Sequence, residues 1–256
     1  MKCLIYLLKN SLIKITPEDS KIRHILKYVY MYFPRSFRES YLLEKTIKKL
    51  ATRNDIKFIQ IGTNDGIHVD PLYKYVKKNE WVGLMIEPNP TVFDKLRNNH
   101  KKSKSKIIFE KVAIGDIGQF TLYWCPEDTG MASTNKEHVT KFLNNRNFEI
   151  LEEKINMITF SNLINKYPEY KSVNILLTDT EGWDAKIIGS IDFNEFKSDV
   201  IIFESAHLDN DSYTSVIDHL VSAEYFCSTS RGDTIAIYKN TNLTELKSIL
   251  NKTYYL

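Results

Sequence analysis

From Lys57 onward, short apolar runs alternate with stretches of helical periodicity, and this alternation limits the fold more than any other feature of the chain. The runs "KFIQI", "WVGLMI", "KIIFEKVAI", "VNILLT" and "DVIIFE" are almost continuously apolar. A strand with apolar side chains on both sides is one covered on both faces, so these runs predict a mostly parallel, twisted sheet with helices on both faces, an α/β fold. Helices are expected after Asp70-Pro71, after Asn89-Pro90, from Trp183 and from Asp211. The last two runs, "YFCST" and "TIAIYK", are separated only by "SRGD", which predicts a C-terminal antiparallel hairpin at the sheet edge. Residues 54–240 read as the main domain, 1–53 as a helical appendage and 241–256 as a helical tail.

Charge and cysteine content narrow the class of partner. With 35 lysines and arginines against 32 aspartates and glutamates, and signs alternating along the chain, no face is basic enough for nucleic acid. The run "HKKSKSK" (His100 to Lys106) reads as a solvated loop. Cys3, Cys125 and Cys227 are odd in number and far apart, which excludes a complete disulfide framework and paired-cysteine zinc spacing and points to the cytoplasm. The opening "MKCLIYLLKNSLIKIT" is broken by Lys9, Asn10 and Lys14, too short to span a bilayer and a poor secretion signal. After it, Ile22, Ile25, Leu26, Val29 and Phe33 form one helical stripe. Packing on the main domain or across a homodimer is the expectation, with peripheral membrane contact as the alternative.

Ligands of such sheets bind outside the carboxyl ends of the strands, where strand order reverses. The first strand ends in Gly62, Thr63, Asn64, Asp65 and Gly66, a turn in which glycine lets backbone approach a ligand. The second ends in Glu87-Pro88, a carboxylate placed to accept hydrogen bonds from both hydroxyls of a ribose. Together they indicate a nucleoside-bearing cofactor. A dinucleotide site wants a third spaced glycine, which is missing, and Asp65 with Asp70 would repel a pyrophosphate. The same carboxylates suit the ammonium and sulfonium of S-adenosylmethionine, although Asn64 and Asp65 can also simply close a turn.

"IQIGTNDG", "IEPNP", "VAIGD", "LLTDTEGWDAKIIGS" and "IIFESAHL" resemble, in order and spacing, the FkbM family of S-adenosylmethionine-dependent methyltransferases over roughly residues 58–239. "MITFSNLI" is similar to that family's segment before the fourth strand. The resemblance implies a Rossmann-like class I methyltransferase that methylates a hydroxyl, often on a sugar or polyketide. It implies a cofactor site of Gly62, Thr63, Asn64, Asp65 and Gly66 at the methionine end, Glu87 and Pro88 at the ribose, Val112 and Ala113 at the adenine, and Asp179 beside the methyl group.

Asp179 and Glu181 stand two apart, so a persisting strand would send both side chains the same way, with Gly182 opening the next helix. Glu181 and Asp184 also fit helix caps. Glu204 and His207 follow the fifth strand and face the same rim. For attack by a hydroxyl on a methyl group, alignment supplies about 7 to 11 kcal/mol and a general base about 3 to 5.5 kcal/mol. Asp179, His207 and Glu181 are the candidate catalytic groups. A divalent ion, magnesium or manganese, on Asp179, Glu181 and His207 is the alternative, since oxygen-rich ligands favour hard cations. "CPEDTGMASTNKEH" (Cys125 to His138) reads as a loop, a surface connection weighed against a lid over the site. Trp124 and Trp183 read as core, with a sugar platform as the alternative. Besides a small-molecule or glycan methyltransferase, a nucleotide-dependent oxidoreductase and a non-catalytic interaction module remain open.

Overall fold

The computed structural model describes residues 35–68, 70–143, 148–206, 208–230 and 232–253. The stripe from Ile22 to Phe33 and His207 lie outside the described residues. The chain runs α1 (Arg35–Leu50), β1 (Lys57–Ile61), α2 (Tyr73–Lys78), β2 (Val82–Ile86), α3 (Pro90–His100) and β3 (Lys106–Glu110). It continues through β4 (Ala113–Ile114), β5 (Gly118–Cys125), β6 (Asp128–Ser133), α4 (Lys136–Leu143), β7 (Leu151–Ile158) and α5 (Phe160–Lys166). Then follow β8 (Ser172–Thr178), α6 (Asp184–Gly189), β9 (Lys197–Glu204), α7 (Asn210–Ser222), β10 (Tyr225–Ser230), β11 (Asp233–Tyr238) and α8 (Thr244–Thr253).

The main sheet has seven strands in the order β10-β11-β9-β8-β1-β2-β3. β3, β2, β1, β8 and β9 pair in parallel, while β11 runs antiparallel between β9 and β10. The predicted terminal hairpin is thus present, at the sheet edge. Alternate strand residues serve two cores, as a doubly covered sheet requires. Ile59, Leu84, Leu176 and Ile201 pack with α5, α6 and α7 on one face. Phe58, Met85, Ile175 and Val200 pack on the other with Leu72 just before α2, Val76 of α2, Phe93 and Leu96 of α3, and Leu246 and Ile249 of α8. Ile47 and Leu50 of α1 are buried in this second core, so the end of the segment expected as an appendage is part of it.

Two expectations fail between β3 and β8. "KIIFEKVAI" is not one strand: β3 stops at Glu110, and Ala113–Ile114 leave for a second sheet of order β4-β7-β5-β6. Both pieces are lined with apolar residues and no glycine or proline marks the break, so periodicity alone joins them. "CPEDTGMASTNKEH" is not a loop either. Pro126 and Glu127 turn β5 back on itself with Cys125 paired to Asp128, and β6 and α4 follow. Its small polar residues look loop-like because β6 is an edge strand, yet Met131 and Ser133 are buried.

Candidate active site

In the main sheet the order reverses between β1 and β8, whose carboxyl ends therefore open a crevice. Gly62 stands at that point with φ +75°, and a Cβ on it would lie 1.8 Å from the carbonyl oxygen of Asp179. Only glycine lets the turn after β1 lie this close to the turn after β8. Gly62 donates to Ile86 O, and Asp179 donates to Ile61 O, which ties the two turns to the sheet.

A cleft open to solvent lies above them, bounded by both turns. Gly62, Asn64, Glu87, Pro88, Val112, Ala113, Asp179 and Glu181, all expected at the site, line it. Thr63, Asp65 and Gly66 do not. The Thr63 hydroxyl donates to Ile86 O, and Asp65 accepts from the backbone N–H groups of Ile67 and His68, closing its own turn. Glu87 is buried, its Oε2 accepting from Asn64 N and its Oε1 from Asn89 N, each at 2.9 Å. Burial pushes its carboxyl up to about 7, and the two N–H bonds pull against that rise.

The inserted second sheet supplies the opposite wall. Leu122, Ile155 and Met157 make it apolar, while Thr129, Gly130, Ser133 and Thr134 of β6 and its end bring polar edges. Thr129 donates to Asn64 Oδ1 at 2.9 Å, so the hairpin is fastened to the turn after β1. The Ser133 hydroxyl donates to Glu181 O and Trp183 Nε1 to Thr134 Oγ1, fastening it to the turn after β8 as well. Trp183 lines the cleft, held against Gly115 and edge-on to Phe120, whereas Trp124 is buried away from it. Leu122, Ile155 and Met157 carry no motif pointing to the cleft and are not among the expected site residues, whereas Thr129, Gly130, Ser133 and Thr134 fall in the segment weighed as a lid and Trp183 is the residue weighed as a sugar platform.

β8 ends at Thr178 and α6 begins only at Asp184, so Asp179 and Glu181 do not share a strand face, nor does Gly182 open the helix. Glu181 and Gly182 take positive φ, 51° and 113°. That turn nevertheless gathers Asp179, Glu181 and Glu204, each of which offers an oxygen within 4.8 Å of the others. Asp184 is structural: it is buried and accepts from Thr178 Oγ1 at 2.6 Å and from the backbone and hydroxyl of Thr180. Asp179 faces the open cleft but is ringed by protein, and desolvation followed by the charges of Asp184, Asp233 and Asp70 raises it to about 7. Desolvation, then Glu204 and Asp179, raise Glu181 to about 8; desolvation, then Asp179, raise Glu204 to about 7. A set of carboxylates sharing protons near neutrality is suited to accept one more from a substrate hydroxyl. His138, on α4, reaches the same cluster, with Nε2 at 3.5 Å from Glu181 Oε2.

A family model described as "Methyltransferase FkbM domain" matches residues 60–227. No curated protein matches the chain. Among solved structures, the chain is similar to the FkbM methyltransferase of Methylobacillus flagellatus KT at 13% identity and TM-score 0.44, over 72% of this chain and 44% of that one. It is similar to Aeropyrum pernix fibrillarin in complex with natively bound S-adenosyl-L-methionine at 10% identity and TM-score 0.41, over 76% and 72% of the two chains. It is also similar to an O-methyltransferase from Bacillus cereus in complex with SAH at 10% identity and TM-score 0.36, over 90% and 97%.

Proposed function

The chain belongs to the FkbM methyltransferase family, as an S-adenosylmethionine-dependent enzyme with a Rossmann-like class I methyltransferase fold, and we propose that it methylates a hydroxyl, on a sugar or glycan acceptor in the cytoplasm. The observation that carries the hydroxyl reading is the carboxylate set at the cleft: Asp179 abuts the cofactor turn, with Glu181 and Glu204 beside it. A protonated hydroxyl is a weak nucleophile, and these groups sit where its proton must go.

The cleft fits the cofactor in its chemistry. Glu87 offers a buried carboxylate to the ribose hydroxyls, Val112, Ala113 and Ile114 give an apolar seat for the adenine, and Asn64 and Asp179 mark the charged methionine end. When bound, S-adenosylmethionine supplies an electrophilic methyl group. Asp179 then holds the place of the general base, and Glu181 and Glu204 share the proton it receives. The inserted sheet, fastened at Thr129 and Ser133, walls the side of the cleft opposite the cofactor turns. A free thiol state of Cys125 and Cys227 supports the cytoplasmic reading. Among the described residues no helix is long and apolar enough to cross a membrane.

The test incubates the protein with methyl-labelled S-adenosylmethionine and fractionated glycans of the source organism. Label is expected in a glycan fraction as an alkali-stable ether, and Asp179→Asn is expected to slow transfer by about a hundred- to ten-thousandfold. Transfer is expected to survive EDTA. Abolition by EDTA with rescue by magnesium or manganese would replace the base with a metal on the same carboxylates. Label on amino groups alone would overturn the hydroxyl reading.

A further inference from the structure

We propose that His138, on the helix of the inserted unit, is a positioning residue for Glu181, so that the proton-handling site is assembled from both sheets. The proposal rests on the hydroxyl-transfer reading above for its purpose, and on contact geometry for its content. The Nε2 atom of His138 lies 3.5 Å from Glu181 Oε2, and the two side chains are 26% and 15% exposed. Both atoms are closed off from solvent, and they face each other at ion-pair distance without the alignment of a hydrogen bond.

Local structure enforces the approach from both sides. The positive φ of Glu181 and Gly182 swings the turn after β8 toward the insertion, and Ser133 holds it there by donating to Glu181 O at 3.1 Å. On the other side Asn135 Oδ1 accepts from Glu137 N and His138 N, which caps α4 and sets His138 in its first turn. Val139, the next residue, is buried and packs with Cys125 and Leu143 under that helix. His138 is therefore presented by a supported element and not by a free loop.

The neighbours of Glu181 explain why a histidine is useful. Among the described residues, the charged groups acting on it from β8 and its turn, β9, α6 and β6 are Asp179, Glu204, Asp184 and Asp128, all carboxylates. None donates a hydrogen bond when ionised. A small turn of the imidazole brings an N–H at Nε2 onto Oε2, which would fix the rotation of the Glu181 carboxylate and leave Oε1 as its proton-accepting oxygen. Without it, repulsion among the carboxylates turns Glu181 away from the cluster.

Two measurements decide this. In the protein labelled with ¹⁵N at histidine, the Nε2 resonance of His138, assigned by its absence from His138→Gln, is expected to shift in Glu181→Gln. An unmoved resonance would show that the contact does not exist in solution. Second, in transfer from labelled S-adenosylmethionine to the methylated glycan fraction, His138→Leu is expected to lower kcat by about ten- to a hundredfold, part of what a positioned base supplies. S-adenosylhomocysteine affinity and Tm should stay as in the wild type, and His138→Gln, which keeps an N–H donor, should recover most of the rate. Equal loss in both variants, or loss of cofactor affinity, would overturn the positioning role. If the wild type methylates no fraction, the hydroxyl-transfer reading fails, while the resonance shift still decides whether His138 holds Glu181.

Discussion

Glu87 shows how much one side chain carries at this site. Its two oxygens accept the backbone N–H groups of Asn64 and Asn89, and Asn64 itself takes a positive φ of 48°. The carboxylate thus fixes the cofactor turn from below while offering its remaining lone pairs to the cleft. In Glu87→Gln one amide N–H₂ must face a backbone N–H, so S-adenosylhomocysteine binding should weaken by about 1.5 to 3 kcal/mol, measured by titration calorimetry. An unchanged affinity would remove Glu87 from the binding site. The carboxylates Asp179, Glu181 and Glu204 make a second prediction with opposed consequences. An unfolded glutamate ionises near pH 4.5, whereas burial and its carboxylate neighbours hold Glu181 up to about 8. The folded state therefore binds the proton more tightly, and the stability this contributes is full below pH 4.5 and lost as pH rises through 8. Thermal melts should fall from pH 5.5 to 8.5, and Glu181→Gln should flatten that slope and raise Tm at pH 8.5 by ~2–4 °C. Methyl transfer should rise over the same window, because the base works deprotonated. A melting temperature independent of pH in the wild type would contradict the buried-carboxylate account.

At the scale of elements, the hairpin β5–β6 with α4 and β7 gives the crevice at the strand carboxyl ends its second wall. Its attachment is local and polar: Thr129 to Asn64, Ser133 to the backbone of Glu181, and Thr134 to the indole of Trp183. Leu122, Ile155, Met157 and Trp183 pack together along its cleft side. A Cβ at Gly115 would lie 2.6 Å from Met157 Sδ and from the Trp183 ring, so the indole lies flush against the chain there. Thr129→Val keeps the shape and removes one hydrogen bond. It should weaken S-adenosylhomocysteine binding by about 0.5 to 1.5 kcal/mol with little change in Tm, since the bond reaches the cofactor turn and not the core. A large drop in Tm with unchanged affinity would mean that the hairpin stabilises the fold without shaping the site.

Across the whole molecule, function and stability are separated by the sheet. The clustered carboxylates Asp179, Glu181 and Glu204 gather at the carboxyl ends of β8 and β9, while α1 and α8 close the apolar face served by Phe58, Met85 and Ile202. Leu50 of α1 is fully buried there beside Leu246 and Ile249. Leu50→Ala should cost about 2–5 kcal/mol by leaving a cavity, read as a shift of the denaturation midpoint, with S-adenosylhomocysteine affinity of the folded protein unchanged. A loss well under 1 kcal/mol would show that α1 is an appendage after all.

The sequence by itself determined the parallel core, because strands buried on two faces must be apolar throughout, and it determined the carboxylates at strand ends, because Glu87, Asp179 and Glu204 each follow an apolar run directly. It also determined the terminal hairpin, whose spacer is too short for a crossover. Only the tertiary structure decided that the run from Lys106 to Ile114 divides between two sheets, since the side-chain period is the same on either side of the break. Only it decided that Asp179 and Glu181 meet through a left-handed turn and not along a strand. The approach of His138 to Glu181, residues separated by β7, α5 and β8, comes from how two sheets dock, and a pairing set by docking leaves no period or motif in the chain.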